Sequence, residues 1–217
     1  MNKTVTLFGS TGLIGGEILK LLINDNYYEN INIITRKKVK VESKKIKNYT
    51  IDFANPEEYK KVIKKGNVII ASIGTTQSKV NFNKTEYRKI DYDIHLNIAK
   101  ACKSNGASSF SFVSSAGANS KSKNFYLKLK GDIENSIVQL GLESCLIFRP
   151  SLLLGKRKEF RFGEIIAQKF IPLISFLMKS DYKPIKANYV AKSILNETKK
   201  KMKGCKVYHY NDILSIL

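Results

Sequence analysis

Three residues in the middle of the chain have the types and spacing of a proton-transfer site. The apolar run "FSFVSS" ends at Ser115, Tyr126 follows in the segment "FYLKLKGDIENSI", and Lys130 lies one helical turn beyond it. Residues four apart share a face of a helix. The stripe through Tyr126 and Lys130 continues to Ile133 and Ile137, which places a lysine on a face that a helix normally buries. A buried ammonium is costly unless something partners it. An ammonium beside a phenol favours the phenolate, and a tyrosine tuned this way passes a proton to or from a carbonyl or alcohol oxygen. A serine hydroxyl at the same place can hydrogen-bond that oxygen. Gly131, which costs ~1 kcal/mol relative to alanine inside a helix, is expected to permit close packing beside this site.

A second constellation lies at the N-terminus. "VTLFGSTGLIGG" sets Gly9, Gly12 and Gly15 directly after a strand-like run and before a helical pattern. In that context Gly9 makes the tight turn, Gly12 lets a pyrophosphate approach the backbone, and Gly15 lets helix and strand pack closely. The helix N-terminus supplies unpaired N–H groups and partial positive charge, and Ser10 and Thr11 add hydroxyl donors. The next strand ends "ITRKK", with no acid before Glu42 to take a ribose 2′-hydroxyl. Arg36, with Lys37 second, suits a 2′-phosphate because the guanidinium bonds two oxygens at once. The expectation is NADP(H) in preference to NAD(H).

These residues need a scaffold, and the alternation of short apolar runs with helical patterns supplies one. Strands are expected at 5–9, 31–35, 49–53, 67–74, 110–115, 144–150 and 206–210, with helices after Gly12 and at 56–63, 84–106, 125–140, 163–179 and 188–200. Strand–helix alternation predicts an α/β doubly wound parallel sheet, helices on both faces and ligands at the carboxyl ends of the strands. The chain reads as a single Rossmann domain over 1–217, with a cofactor-binding core to 155 and integrated cap elements from 156. The apolar stretch 165–178 is expected to serve as core and lid of a substrate cleft. Arg149 is a candidate for a substrate anion or for a structural carboxylate, His95 is expected on a helix surface, and Asn188 is expected to cap the helix that follows.

Composition narrows the function classes. A 217-residue chain that is 43% hydrophobic can bury a full core. No apolar run reaches the ~18 residues of a membrane span. The net charge of +20 invites a nucleic-acid reading, yet only five of the 38 basic residues are arginine and the lysines are spread along the chain, which reads as a solvated coat. Cys102, Cys145 and Cys205 are odd in number and without metal spacing, and two histidines make no metal site. With an N-terminus that lacks the character of a leader, reduced thiols lead to the expectation of a cytoplasmic protein, monomeric or homodimeric.

Together the glycine spacing, the serine at the fifth strand end and Tyr-x-x-x-Lys resemble the short-chain dehydrogenase/reductase superfamily, in its extended and atypical branches. "SIGTT" (72–76), "SSAGANSKSKNFYLKLKGDIE" (114–134), "FRPSLLLGKRKEFRFGE" (148–164) and "YVAKSILNE" (189–197) are similar to the small atypical oxidoreductases related to the Tat-interactive protein. The resemblance implies NADP(H) held by Gly9, Ser10, Thr11, Gly12, Leu13, Ile14, Gly15, Arg36 and Lys37. It extends the site to Asp52, Phe53, Ile73, Gly74, Tyr126, Lys130, Leu153 and Arg161. It implies reduction of a small carbonyl substrate, with Tyr126 as proton donor, Lys130 holding ribose and Ser115 orienting the carbonyl. A non-catalytic NADP(H)-binding regulator or scaffold is the alternative; a nucleotide-sugar epimerase-like enzyme and a nucleic-acid-binding protein rank lower. Many relatives carry an asparagine on the long helix before the serine strand, where this chain reads "KIDYDIHLN" with Asp91, Asp93 and Asn97.

Overall fold

The computed structural model describes residues 3–155, 180–200 and 202–217. In chain order these form β1 (Thr4–Phe8), α1 (Leu13–Ile23), β2 (Asn30–Thr35), β3 (Ile46–Thr50), α2 (Pro56–Val62), β4 (Val68–Ala71) and α3 (Lys84–Arg88). A π-helical turn (Lys89–Asp93) runs from α3 into α4 (Ile94–Asn105). Then come β5 (Ser109–Val113), α5 (Phe125–Gln139), β6 (Ser144–Phe148), β7 (Leu153–Leu154), β8 (Ile185–Lys186), α6 (Ala187–Thr198), β9 (Gly204–Tyr208) and α7 (Tyr210–Ser215). Seven strands pair in parallel in the order β3-β2-β1-β4-β5-β6-β9, and β7 and β8 form a separate short parallel pair. The chain winds outward from β1 to β3, then returns to place β4 on the other side of β1. The carboxyl ends of β1 and β4 are therefore the topological switch point, where a ligand crevice opens in this class of sheet.

The sheet separates two apolar layers. On one face Val5, Leu7, Ile31 and Ile33 pack with Ile18 and Leu22 of α1 and Val190 and Ile194 of α6. On the other, Phe8, Ile34, Ile69 and Phe112 pack with Tyr59 of α2, Ile98 and Cys102 of α4, and Ile133 and Ile137 of α5. Side chains of a strand alternate between faces, so a parallel strand covered on both sides is apolar almost throughout; β6 is buried at every position. The helices start where their sequences say they should. Asn55, Asn83 and Asn124 each accept backbone N–H groups at the starts of α2, α3 and α5. Gly106, at φ +68°, closes α4 in the left-handed conformation that glycine adopts without penalty.

Several boundaries differ from expectation. β3 occupies 46–50, because the Asp52 carboxylate takes the Ala54 N–H at 2.9 Å and turns the chain toward the Asn55 cap. β9 ends at Tyr208, because His209 and Asp212 form a capping box that opens α7, a helix the sequence reading did not anticipate. Lys186 is the N-cap of α6, so Asn188 lies inside its first turn. The expected helix at 163–179 and the apolar stretch 165–178 lie outside the described residues. All three cysteines are free; Cys102 and Cys145 are buried, and Cys205 is exposed on the edge strand β9, in register with Cys145. No helix among the described residues is long and apolar enough to cross a membrane.

Candidate functional site

The glycine loop sits at the switch point. Gly9 turns at φ +86°, and a Cβ there would lie 2.7 Å from the Ser72 carbonyl carbon past β4. A Cβ on Gly15 would lie 2.0 Å from the Gly9 oxygen, so α1 is seated directly on the turn. Gly12 is the N-cap of α1 and has no side-chain cap, which leaves the helix start able to receive an anion. The Ser10 hydroxyl is buried beside it with no hydrogen-bond partner among the described residues. An orphaned buried hydroxyl and an uncapped helix start are what a phosphate-bearing ligand would satisfy. Thr11 is exposed, Leu13 half-buried and Ile14 in the core.

Tyr126 and Lys130 occupy the first turns of α5, on the side of the sheet where β4 and β5 end. The Lys130 ammonium lies 5.9 Å from the centroid of the half-buried Tyr126 ring and 5.3 Å from that of Phe112. The ring of Tyr126 stands perpendicular to that of Tyr87, 6.3 Å between centroids. Ser115 lies two residues past β5, half-buried, its hydroxyl donating to the Ala116 carbonyl at 3.2 Å. The loop after Ser115 folds back onto α5: the Asn119 N–H donates to the Leu127 carbonyl at 3.0 Å. A Cβ on Gly131 would lie 2.1 Å from the Ser120 nitrogen, so the expected close approach at Gly131 is present.

The partner of Lys130 is a residue to which the sequence reading gave no role. Asp91, in the π-helical turn, holds the ammonium at 2.9 Å, with side-chain exposures of 4% for the lysine and 2% for the aspartate. The second Asp91 oxygen accepts the Thr75 N–H at 2.9 Å, which ties the loop after β4 to the same carboxylate. Burial, the largest single influence, would depress the ammonium's pKa; the Asp91 carboxylate together with Tyr126 and Glu134 outweighs it, and Lys130 is held above the ordinary lysine range. The lysine is thus kept charged by a carboxylate instead of standing ready for ribose alone. π-Helical turns inside α-helices are frequent at functional sites.

One turn further along α5, Glu134 is also buried, accepting the Ser114 hydroxyl and a two-pronged contact from Arg149 with Nε at 3.0 and 3.2 Å. Arg149 is therefore the structural partner of a carboxylate. His95 is not on a helix surface. It is fully buried, edge-on to Phe112 at 4.8 Å, on the stripe of α4 that carries Ile98, Ala99 and Cys102. Neither ring nitrogen has a hydrogen-bond partner of good geometry among the described residues. Burial, and then the Lys130 charge, push its pKa down to about 3, against a slight opposing pull from nearby backbone groups of Asp91, Ile73 and Ile90.

The remaining expected residues are spread around the same edge. Arg36 and Lys37 are exposed immediately after β2. Asp52 is exposed after β3, while Phe53 packs edge-on against Phe8 and Tyr59 at 6.3 and 5.9 Å. Ile73 and Gly74 follow β4, and a Cβ on Gly74 would come within 3.8 Å of Asp91. Leu153 in β7 belongs to the same apolar layer as Leu13, and a Cβ on Gly155 would sit 2.8 Å from the Leu13 side chain, so the segment after β6 lies against the glycine loop. Arg161 lies outside the described residues.

A glycine-turned, uncapped helix start at the switch point of a parallel sheet defines a dinucleotide-binding α/β protein of the Rossmann type. The model of the NAD(P)H-binding family matches residues 9–148, and the chain belongs to that family, with the character of an atypical short-chain dehydrogenase/reductase. It is 35% identical over 167 residues to the mitochondrial protein FMP52 of Candida albicans, covering 75% of this chain and 72% of that one. It is 31% identical over 172 residues to protein HTATIP2 of Rattus norvegicus, covering 78% and 70%. Among solved structures, the fold superposes on a UDP-N-acetylglucosamine 4-epimerase from Methanobrevibacter ruminantium with a TM-score of 0.73 at 18% identity, covering 96% of this chain and 76% of the epimerase. Vestitone reductase from alfalfa superposes with a TM-score of 0.67 at 18% identity, over 94% and 75%. Relatives named as mitochondrial overturn the expectation of a cytoplasmic protein. Free cysteines speak only for a reducing environment, and that property does not distinguish the cytosol from an organelle.

Proposed function

We propose that this protein is an NADP(H)-dependent oxidoreductase that reduces a small carbonyl substrate at Tyr126, acting as a single Rossmann domain. The observation that carries this reading is the buried Lys130–Asp91 pair, which fixes an ammonium beside Tyr126 on the sheet edge that also bears the glycine loop. In this reading Gly9 to Gly15 and the Ser10 hydroxyl receive the pyrophosphate, and Arg36 with Lys37 receive the 2′-phosphate. Asp52, Phe53, Ile73, Gly74, Leu153 and Arg161 line the rest of the dinucleotide site. A bound reduced nicotinamide supplies the hydride. The chain's own contribution is the proton: the Tyr126 hydroxyl gives it to the carbonyl oxygen, Ser115 hydrogen-bonds that oxygen, and Lys130 holds positive charge beside the tyrosine and bonds ribose hydroxyls.

The test is a titration with NADPH and NADH, followed by NADPH consumption on a panel of ketones and quinones. NADPH is expected to bind at least ten-fold tighter than NADH, Arg36→Glu to abolish that preference, and Tyr126→Phe to lower kcat by about 10²-fold or more. Equal turnover by Tyr126→Phe refutes the mechanism. Tight NADPH binding with no turnover on any panel member assigns the protein to the non-catalytic alternative.

A further inference from the structure

Beside Tyr126 lies a cavity of about 140 Å³ walled by Gln77, Phe82, Asn83, Lys84, Tyr87 and Phe125. Three of these six are aromatic, and the Lys84 ammonium lies 5.5 Å from the centroid of the Phe125 ring. The Tyr87 ring stands edge-on to Phe125 at 5.8 Å and edge-on to Tyr126 at 6.3 Å, so the cavity is one ring away from the proton donor. Of the polar wall atoms, Asn83 Oδ1 accepts the Thr85 and Glu86 N–H groups, and the Gln77 carbonyl accepts the Phe82 N–H at 2.7 Å.

The backbone at the cavity rim is strained. Asn81 and Phe82 sit at φ +48° and +59°. Asparagine tolerates this region, but a phenylalanine there costs on the order of 1 kcal/mol or more. The Phe82 ring is nonetheless 73% exposed, so it is not held there by core packing. A strained backbone that displays an exposed ring over a cavity beside a catalytic candidate is the pattern of a ligand clamp. The volume matches one six-membered ring, since an apolar cavity of ~150 Å³ accommodates benzene.

We infer that this cavity is the substrate-specificity pocket and that it selects compounds carrying a single planar aromatic ring, held among Phe82, Tyr87 and Phe125. This rests on the reductase reading for the chemistry but not for the binding. Aromatic rings gain from offset and edge-on contacts that a saturated ring of the same size does not make.

The experiment compares acetophenone with cyclohexyl methyl ketone, which share a skeleton and differ in aromaticity. Equilibrium binding is read from fluorine NMR line broadening of 4-fluoroacetophenone, with the two ketones as competitors. The wild type is expected to bind the fluorinated ring and to release it to acetophenone about ten-fold more readily than to the saturated ketone. Phe82→Ala is expected to bring the two competitors to near parity; the exposure of Phe82 leaves the fold intact, which the melting temperature checks. Turnover is measured separately with NADPH. Ring binding without turnover of either ketone supports the pocket and leaves the reductase reading to the wider panel, whose uniform failure would refute that reading alone. No binding, equal competition by the saturated ketone, or an unchanged preference in Phe82→Ala overturns the pocket whatever the turnover.

Discussion

Removing the Asp91 carboxylate is the sharpest perturbation the structure offers. Asp91→Ala leaves the Lys130 ammonium in a site where the lysine side chain is 4% exposed, and it takes the acceptor away from the Thr75 N–H. Breaking one partner of a buried pair costs about 3–5 kcal/mol because the other charge stays buried and uncompensated. A stranded amide adds about 1–3 kcal/mol, part of it already counted in that range. A loss near 4 kcal/mol is expected. With a urea m-value of ~2–3 kcal/mol/M for a chain of this size, the unfolding midpoint should fall by roughly 1.3–2 M. Replacing both members, Asp91→Leu with Lys130→Met, removes both charges and should recover most of the loss, while NADPH binding stays impaired. Circular dichroism during urea unfolding provides the assay. A single variant within 0.5 kcal/mol of wild type, or a double variant no more stable than the single, refutes the claim that the ion pair holds this end of α5.

Two further substitutions are informative. Gly15→Ala drives a Cβ to 2.0 Å from the Gly9 oxygen and should cost both stability and dinucleotide binding; Gly12→Ala, with 3.3 Å to the same oxygen, should keep its melting temperature but lose affinity in a dinucleotide titration. A melting temperature lowered equally by both would contradict the assignment of Gly12 to ligand approach. The buried imidazole of His95 should make the protein acid-sensitive. With its pKa pushed down to about 3 from an ordinary 6.5, the unfolded chain binds a proton between those values that the native chain does not. Stability therefore falls as pH drops below 6.5, by up to about 1.4 kcal/mol per unit, or ~2 kcal/mol by pH 5. His95→Phe should flatten that dependence in urea titrations at pH 7 and 5; parallel losses in both proteins would disprove it.

How far these features were legible in the sequence depends on how local their signals are. The glycine loop is written in seven consecutive residues between a strand and a helix, and the Tyr126–Lys130 face follows from helical spacing alone. Asp91 was not legible as the lysine's partner, because the two lie on different helices and only the sheet topology brings them together. A carboxylate on the inner stripe of the long helix was the available signal. His95 had a clearer one: it shares its stripe with Ile98, Ala99 and Cys102, which marks it as core. The pairing of β7 with β8 spans two residues each, too few for any period to register.

The π-helical turn at Lys89–Asp93 has a consequence for how this helix tolerates change. An extra residue within one turn shifts the angular phase of everything on one side relative to the other. Downstream, Ile98, Ala99 and Cys102 stay in phase with the sheet; upstream, Tyr87 stays in phase with Phe125 and Tyr126. The turn lets a single continuous helix obey two unrelated alignments. A one-residue deletion within 89–93 would restore uniform winding and force one alignment to be given up, so length, as much as residue identity, is constrained there.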